Sequence, residues 1–189
     1  PTTPSQRQLV QVDRSGLWKG KPEKTLTEGL TKTGGRNSLG RVTSRHRGGG
    51  HKRAYRLIDF KRTKEGVAKV ERIEYDPNRS AFIALIEFED KEKRYIIAPS
   101  GLKVGQNIVS GEKVQPEIGN SMKLSNMPLG TIISCIELVP GKGAKIARSA
   151  GAFAQLMAKE GRYLTIKLTT GETRIIFKTC YDTNGEVYN

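Results

Sequence analysis

The run GVAKVERIEYDPNRSAFIALIEF, residues Gly66 to Phe88, decides the fold of this 189-residue chain. Gly66 to Tyr75 is rich in β-branched and aromatic side chains, and Asp76-Pro77-Asn78-Arg79-Ser80 is a cluster of turn formers. Ala81 to Phe88 then places Phe82, Ala84, Ile86 and Phe88 on one face of a strand. The pattern predicts a β-hairpin. Alternation in its first strand slips near Glu71–Arg72, which is what one extra residue in a bulge produces. Working outward, Tyr55 to Phe60 reads as a preceding strand. Downstream, the polar turn Glu89 to Glu92 leads into a strand from Arg94 to Ala98, Pro99-Ser100-Gly101 ends it, and Leu102 to Val109 follows as another. Short strands at this spacing, with no long helix between them, make an all-β barrel or sandwich.

A second β unit follows. Gly111 to Pro128, carrying Pro116, Gly119, Asn120, Asn126 and Pro128, reads as a junction. Thr131 to Val139 reads as a strand, Pro140 to Gly151 as a glycine-rich loop, and Ala152 to Ala158 as a short apolar turn. Tyr163 to Thr169 alternates cleanly and turns through Thr170-Gly171-Glu172 into Thr173 to Thr179. With 35% hydrophobic and 6% aromatic residues, two small cores fit the composition better than one large one. The expected division is a basic arm over residues 1–53 and barrels over 54–125 and 126–189. Within the arm, Trp18 is equally suited to stacking on a base and to docking the arm on the barrel. The longest apolar run, Leu129 to Val139, is broken by Ser134 and Glu137 and falls short of the roughly 20 residues of a membrane span.

The charge of +14 is unevenly placed. Residues 1–66 hold 16 Lys and Arg against 5 Asp and Glu, whereas residues 67–189 hold 17 against 14. The excess concentrates in GGRNSLGRVTSRHRGGGHKRAYRLIDFKR, from Gly34 to Arg62. Arg36, Arg41, Arg45, Arg47, Lys52, Arg53 and Arg56 occur there with no carboxylate before Asp59, and Lys61 and Arg62 close the run. A charge run is usually a solvated face. Here interleaved glycines and the pair His46 and His51 point instead to a polyanion, which would order a segment unable to build a core of its own.

A nucleotide-binding loop does not fit, because Gly35 to Gly40 is followed by Arg41 and Val42 where Lys and Ser or Thr are required. His46 and His51 lack neighbours for a metal site, and neither they nor Asp59 form a catalytic constellation. No cofactor is implied. Cys135 and Cys180 read as small buried hydrophobes in a reducing compartment. A second basic cluster, Lys142, Lys145 and Arg148, recurs every three residues among small side chains between Gly141 and Gly151, a spacing suited to a phosphate ridge. Three function classes stand: an RNA-anchored structural protein, an RNA-processing enzyme holding substrate with the same arm, and a free DNA-binding architectural protein.

GRNSLGRVTSRHRGGGHKRAYRLIDFKR from Gly35 and PGKGAKIARSAGAFAQLMAKEGRYLTIKLTTGETRI from Pro140 resemble the two most characteristic segments of the ribosomal protein L-two family of the large subunit. The likeness runs through nearly the whole chain. It implies an extended N-terminal arm, an OB-fold-like barrel and an SH3-like barrel, with no enzymatic activity. It also implies contact with large-subunit rRNA near the peptidyl-transferase region, support of subunit association, and other ribosomal proteins as partners. Arg36, Arg41, Arg45, His46, Arg47, His51, Lys52, Arg53 and Arg56 match the arm motif, and Lys142, Lys145 and Arg148 fall in the second. Family members continue into a long basic extension, while this sequence stops at Gly185-Glu186-Val187-Tyr188-Asn189. The expectation is that a separate polypeptide supplies that part, as in a divided organellar protein. The mitochondrial matrix is the expected location and the bacterial cytoplasm the alternative.

Overall fold

A computed structural model describes residues 2–188. Fourteen strands appear in order among those residues. They are β1 (Thr27–Gly29), β2 (Ala54–Arg56), β3 (Gly66–Glu74), β4 (Ile83–Phe88), β5 (Lys93–Ile97), β6 (Asn107–Ser110), β7 (Ser121–Lys123), β8 (Ile132–Ser134), β9 (Ile136–Glu137), β10 (Ala144–Ile146), β11 (Ala154–Glu160), β12 (Tyr163–Leu168), β13 (Thr173–Phe177) and β14 (Tyr181–Asn184). The only α-helix among the described residues is the single turn Pro4–Arg7. The fold is all-β, as expected.

The hairpin forms as the sequence requires. β3 and β4 pair antiparallel with Ala68 opposite Phe88 and Val70 opposite Ile86, and the register shifts between Val70 and Arg72. The bulge keeps Ile73 in the core and leaves Arg72 half-buried, paired with the buried Glu74 at 2.6 Å. Ala68, Val70 and Ile73 join Phe82, Ala84, Ile86 and Phe88 in one cluster with Ile96 and Ile108. Burying each large aliphatic side chain contributes about 1.5–3 kcal/mol. Strand β4 is covered on both faces, since Ile83 and Leu85 pack with Tyr95 beneath Leu26 and Ile58.

A second core gathers Met122, Leu124, Met127, Ile133, Ile136, Ala154, Leu156, Leu164, Ile166 and Ile176. The two units share one sheet, in the order β13-β12-β11-β8-β14-β7-β6-β3-β4-β5, but the join is a single parallel pair, Ser110 with Ser121. Met122 and Leu124 belong to this second core although they precede the expected boundary at residue 126, and a third cluster of Ala81, Ile97 and Val187, with the Pro99–Val187 bridge, packs across the seam. β13 lies at the far edge of the sheet with Ile175 72% exposed.

Five local expectations change. Tyr55 to Phe60 is a strand only as Ala54–Arg56, after which Ile58 keeps an isolated bridge to Tyr95. Leu102 to Val109 is a strand only from Asn107, because Gly105 turns with φ +86 and donates its N–H to the Val70 carbonyl at 2.8 Å. Thr131 to Val139 breaks at Cys135, whose φ of +50 ends β8 and starts β9. The expected turn from Ala152 to Ala158 instead runs into β11, since Ala154 and Leu156 alternate into the second core. The expected continuous arm is also tied back early. β1 pairs with β2, Thr27 opposite Arg56, so residues 30–53 form a loop closed at its base. Trp18 docks the arm on the first barrel, its backbone N–H reaching the Ile73 carbonyl at 2.8 Å and its ring lying 4.9 Å from the Arg72 guanidinium, while the residue stays half exposed.

Candidate nucleic-acid interface

The loop between β1 and β2 has a hydrogen-bonded skeleton of its own. The Gly35 carbonyl accepts the N–H groups of Thr43 at 2.9 Å and Ser44 at 3.1 Å, and the Thr43 hydroxyl at 3.2 Å. Asn37 Oδ1 accepts from the N–H groups of Leu39 and Arg41, both at 3.0 Å, and Arg36 bridges Val42. Gly35 sits at φ +74, and a Cβ there would lie 2.0 Å from the Ser44 carbonyl oxygen, so glycine is required. The sequence reading expected this segment to take shape only against a polyanion; its short-range turns supply one beforehand.

Arg36, Arg41, Arg45, His46, Arg47, His51, Lys52 and Arg53 are all exposed on this loop. Among the described residues, none of its Arg and Lys side chains pairs with a carboxylate. Lys32 Nζ reaches the Gly49 carbonyl at 2.8 Å, and Arg53 donates to the Pro77 carbonyl at 2.9 Å, anchoring the loop's exit on the β3–β4 turn. The rest of the charge faces outward, which suits phosphate contact and repels a second cationic surface.

The second cluster meets the far end of the first basic run, at Phe60 and Lys61. The Phe60 carbonyl accepts the Ala144 N–H at 2.8 Å, and Gly143 packs so closely that a Cβ would lie 3.3 Å from Lys61 Cγ. Glu137 organises this loop: its buried carboxylate accepts the N–H groups of Gly143 at 2.8 Å, Tyr181 at 3.1 Å and Gly141 at 3.4 Å. Lys142, Lys145 and Arg148 are exposed around it, and Lys61 is exposed beside them.

Between the barrels lies a notch lined by Tyr55, Phe60, Asn78, Arg79 and Ser80 from the first and Arg148 and Ser149 from the second. The Arg148 and Arg79 guanidinium carbons stand 4.9 Å and 5.8 Å from the Phe60 ring centre. Arg79 is held at 2.6 Å by the buried Asp76 carboxylate, whose other oxygen accepts the Asn78 N–H at 2.9 Å. The Ser80 hydroxyl accepts the Ala150 N–H at 3.2 Å across the gap. Two cations flanking an aromatic ring in a polar recess match a phosphate with its attached base. Arg79 and Asn78 were absent from the sequence-based candidates. Their signal was a basic residue inside the tight Asp76–Ser80 turn, which accounted for itself as a turn.

Two candidates are corrected. Arg62 is buried, donating to the Gly119 carbonyl and to Ser110 Oγ, both at 2.8 Å, so it is a contact within the protein. Arg56 is also buried and donates to the Ala54 carbonyl at 2.9 Å. Burial pushes the Cys135 thiol up to about 12 and the Cys180 thiol up to about 11, so neither is a thiolate nucleophile at neutral pH.

Comparison with known proteins agrees with this geometry. A family model described as Ribosomal Proteins L2, RNA binding N-terminal domain matches residues 23–110, and one described as Ribosomal Proteins L2, C-terminal domain matches residues 117–189. A large ribosomal subunit protein uL2 of Paracoccus denitrificans is 58% identical over 190 residues, covering 100% of this chain and 68% of the relative. One of Flavobacterium johnsoniae is 60% identical over 190 residues, covering 100% of this chain and 69% of that protein. Both are bacterial, and they give the mitochondrial expectation no support.

Proposed function

Since this chain belongs to the ribosomal protein L2 family, we propose that it is a structural constituent of the large subunit that anchors large-subunit rRNA through two surfaces. One is the loop over residues 30–53, and the other is the notch around Phe60. The observation that carries the reading is the convergence of Arg79 and Arg148 on one aromatic ring from opposite barrels. The loop cations supply affinity to any folded polyanion, while the notch demands a phosphate at one place and so fixes register.

The proposed role extends to the neighbourhood of the peptidyl-transferase region and to subunit association, with other ribosomal proteins as neighbours. Bacterial relatives favour the bacterial cytoplasm as the setting. The family is structural rather than enzymatic. The test is binding to a large-subunit rRNA transcript across salt. With about seven phosphates neutralised, affinity falls by about 10³ to 10⁵ between 50 and 200 mM salt. A binding constant that barely moves over that range, or equal affinity for duplex DNA at matched salt, refutes the proposal.

A further inference from the structure

We infer that Arg62 is a positioning residue that locks the two barrels at the angle where Arg79 and Arg148 share one phosphate site. The inference rests on the notch reading above for its function, but not for its geometry.

Segment 58–62 crosses the seam. The Asp59 N–H donates to the Tyr95 carbonyl of the first barrel at 2.8 Å, and one residue later the Phe60 carbonyl accepts the Ala144 N–H of the second. Asp59 Oδ1 then accepts the N–H groups of Lys61 at 3.1 Å and Arg62 at 2.9 Å, while its Oδ2 pairs with Arg94 at 2.8 Å. Arg62 is thereby held at φ +47, a conformation few non-glycine residues adopt.

Its side chain runs inward, and the two donors fork to Gly119 of the junction and Ser110 of β6, beside the single residue pair that joins the sheets. The same small recess is lined by Cys135, Asp182 and Thr183 from the second barrel. Cys135 and Ala147 are also at positive φ, +50 and +53, and the Cys135 N–H donates to the Ala147 carbonyl at 3.0 Å. Three of the five described non-glycine residues with positive φ thus gather at the seam, and strained backbone persists only where its surroundings over-determine it.

The charge balance agrees. Both Asp182 carboxylate oxygens are buried without a hydrogen-bond partner, and desolvation pushes that carboxyl well up while pulling Arg62 down to about 10. The fork holds Gly119, whose own N–H donates to the Asn184 carbonyl of β14 at 3.0 Å, so Arg62 ties β6 to the second barrel through Gly119, and the planar guanidinium leaves that path little freedom to rotate. Ala147 leads directly into Arg148, and Phe60 stands two residues before Arg62, so the lock is connected by short backbone paths to two of the three groups at the notch.

The test uses the full chain with spin labels at Val104→Cys and Ile175→Cys, one exposed position on each barrel, and binding to a large-subunit rRNA transcript at fixed salt. Arg62→Met is expected to broaden the distance between labels and weaken binding roughly tenfold. It is also expected to make the effects of Arg79→Ala and Arg148→Ala additive where they were coupled. Simple destabilisation would not remove that coupling well below the unfolding temperature. Should Arg62→Met fail to fold, Ser110→Ala removes one arm of the fork and is expected to broaden the distance by a smaller amount. An unchanged distance distribution in the folded variant overturns the lock, whatever the affinity does. A broadened distance with Arg79→Ala and Arg148→Ala both silent in RNA binding overturns the positioning role through the notch reading, leaving only the seam.

Discussion

The loop over residues 30–53 and the notch around Phe60 both gather positive charge, yet they are built in opposite ways. The loop draws its cations from one unbroken stretch without a carboxylate, and its tip is shaped by short-range bonds such as Gly35 to Ser44, with Lys32 to Gly49 and the β1–β2 pairing closing it below. The notch draws Tyr55, Phe60, Arg79 and Arg148 from three separated places, and Asp76 occupies part of Arg79. A contiguous cationic loop acts as a sum of independent phosphate contacts, whereas a site assembled across two barrels acts as a unit. The difference is one of additivity, and it can be measured.

The largest expected effect comes from the loop. Replacing Arg41, Arg45 and Arg47 together by Ala should weaken binding to large-subunit rRNA on the order of 10²-fold near physiological salt and lower the salt slope by about 3. The contributions should add within error, and strong coupling among them would erase the contrast. In the notch, Arg79→Ala combined with Arg148→Ala should weaken binding about tenfold to thirtyfold. The double variant should fall clearly short of the product of the singles, measured in the same titrations, because each removes half of one site.

A smaller effect is expected at Gly35. Gly35→Ala forces a Cβ against the Ser44 carbonyl and should weaken rRNA binding about tenfold through the lost preorganisation of the loop. The unfolding temperature should hardly move, because none of these bonds touches either core. Unchanged binding would show that the loop's own skeleton is irrelevant. The smallest is Asp182→Asn. The folded pKa of Asp182 lies above its unfolded value, so the folded chain keeps a proton that the unfolded chain releases. Stability therefore falls as pH rises from about 3.9 through the folded value. The amide removes that slope and should raise neutral-pH stability on the order of 1 kcal/mol, or about 2–4 °C in a thermal melt.

The hairpin, its bulge near Arg72 and the cationic composition of the basic segment were legible because each rests on neighbours in sequence, whereas the β1–β2 pairing that closes that segment into a loop does not. Arg62 was misplaced for a related reason. It closes a basic run and has the same composition signature as Arg53, and only the arrival of Gly119 and Ser110 from later in the chain buries it. Arg79 was passed over because its turn needed no further explanation. Glu137 looked like an interruption of an apolar strand, when its carboxylate is the hub that three backbone N–H groups of the second basic loop and β14 share. β11 was read as a turn because Ala154 and Ala158 carry little strand propensity, and tertiary burial overrode it.

The bonds converging on the Gly35 carbonyl also bear on rates. A segment that folds only on contact must search for its shape after encounter, and that search slows capture. This loop arrives with its turns closed and its cations displayed. Its association with RNA should accordingly be limited by electrostatic steering, with an on-rate that drops steeply as salt rises and a modest dependence on temperature.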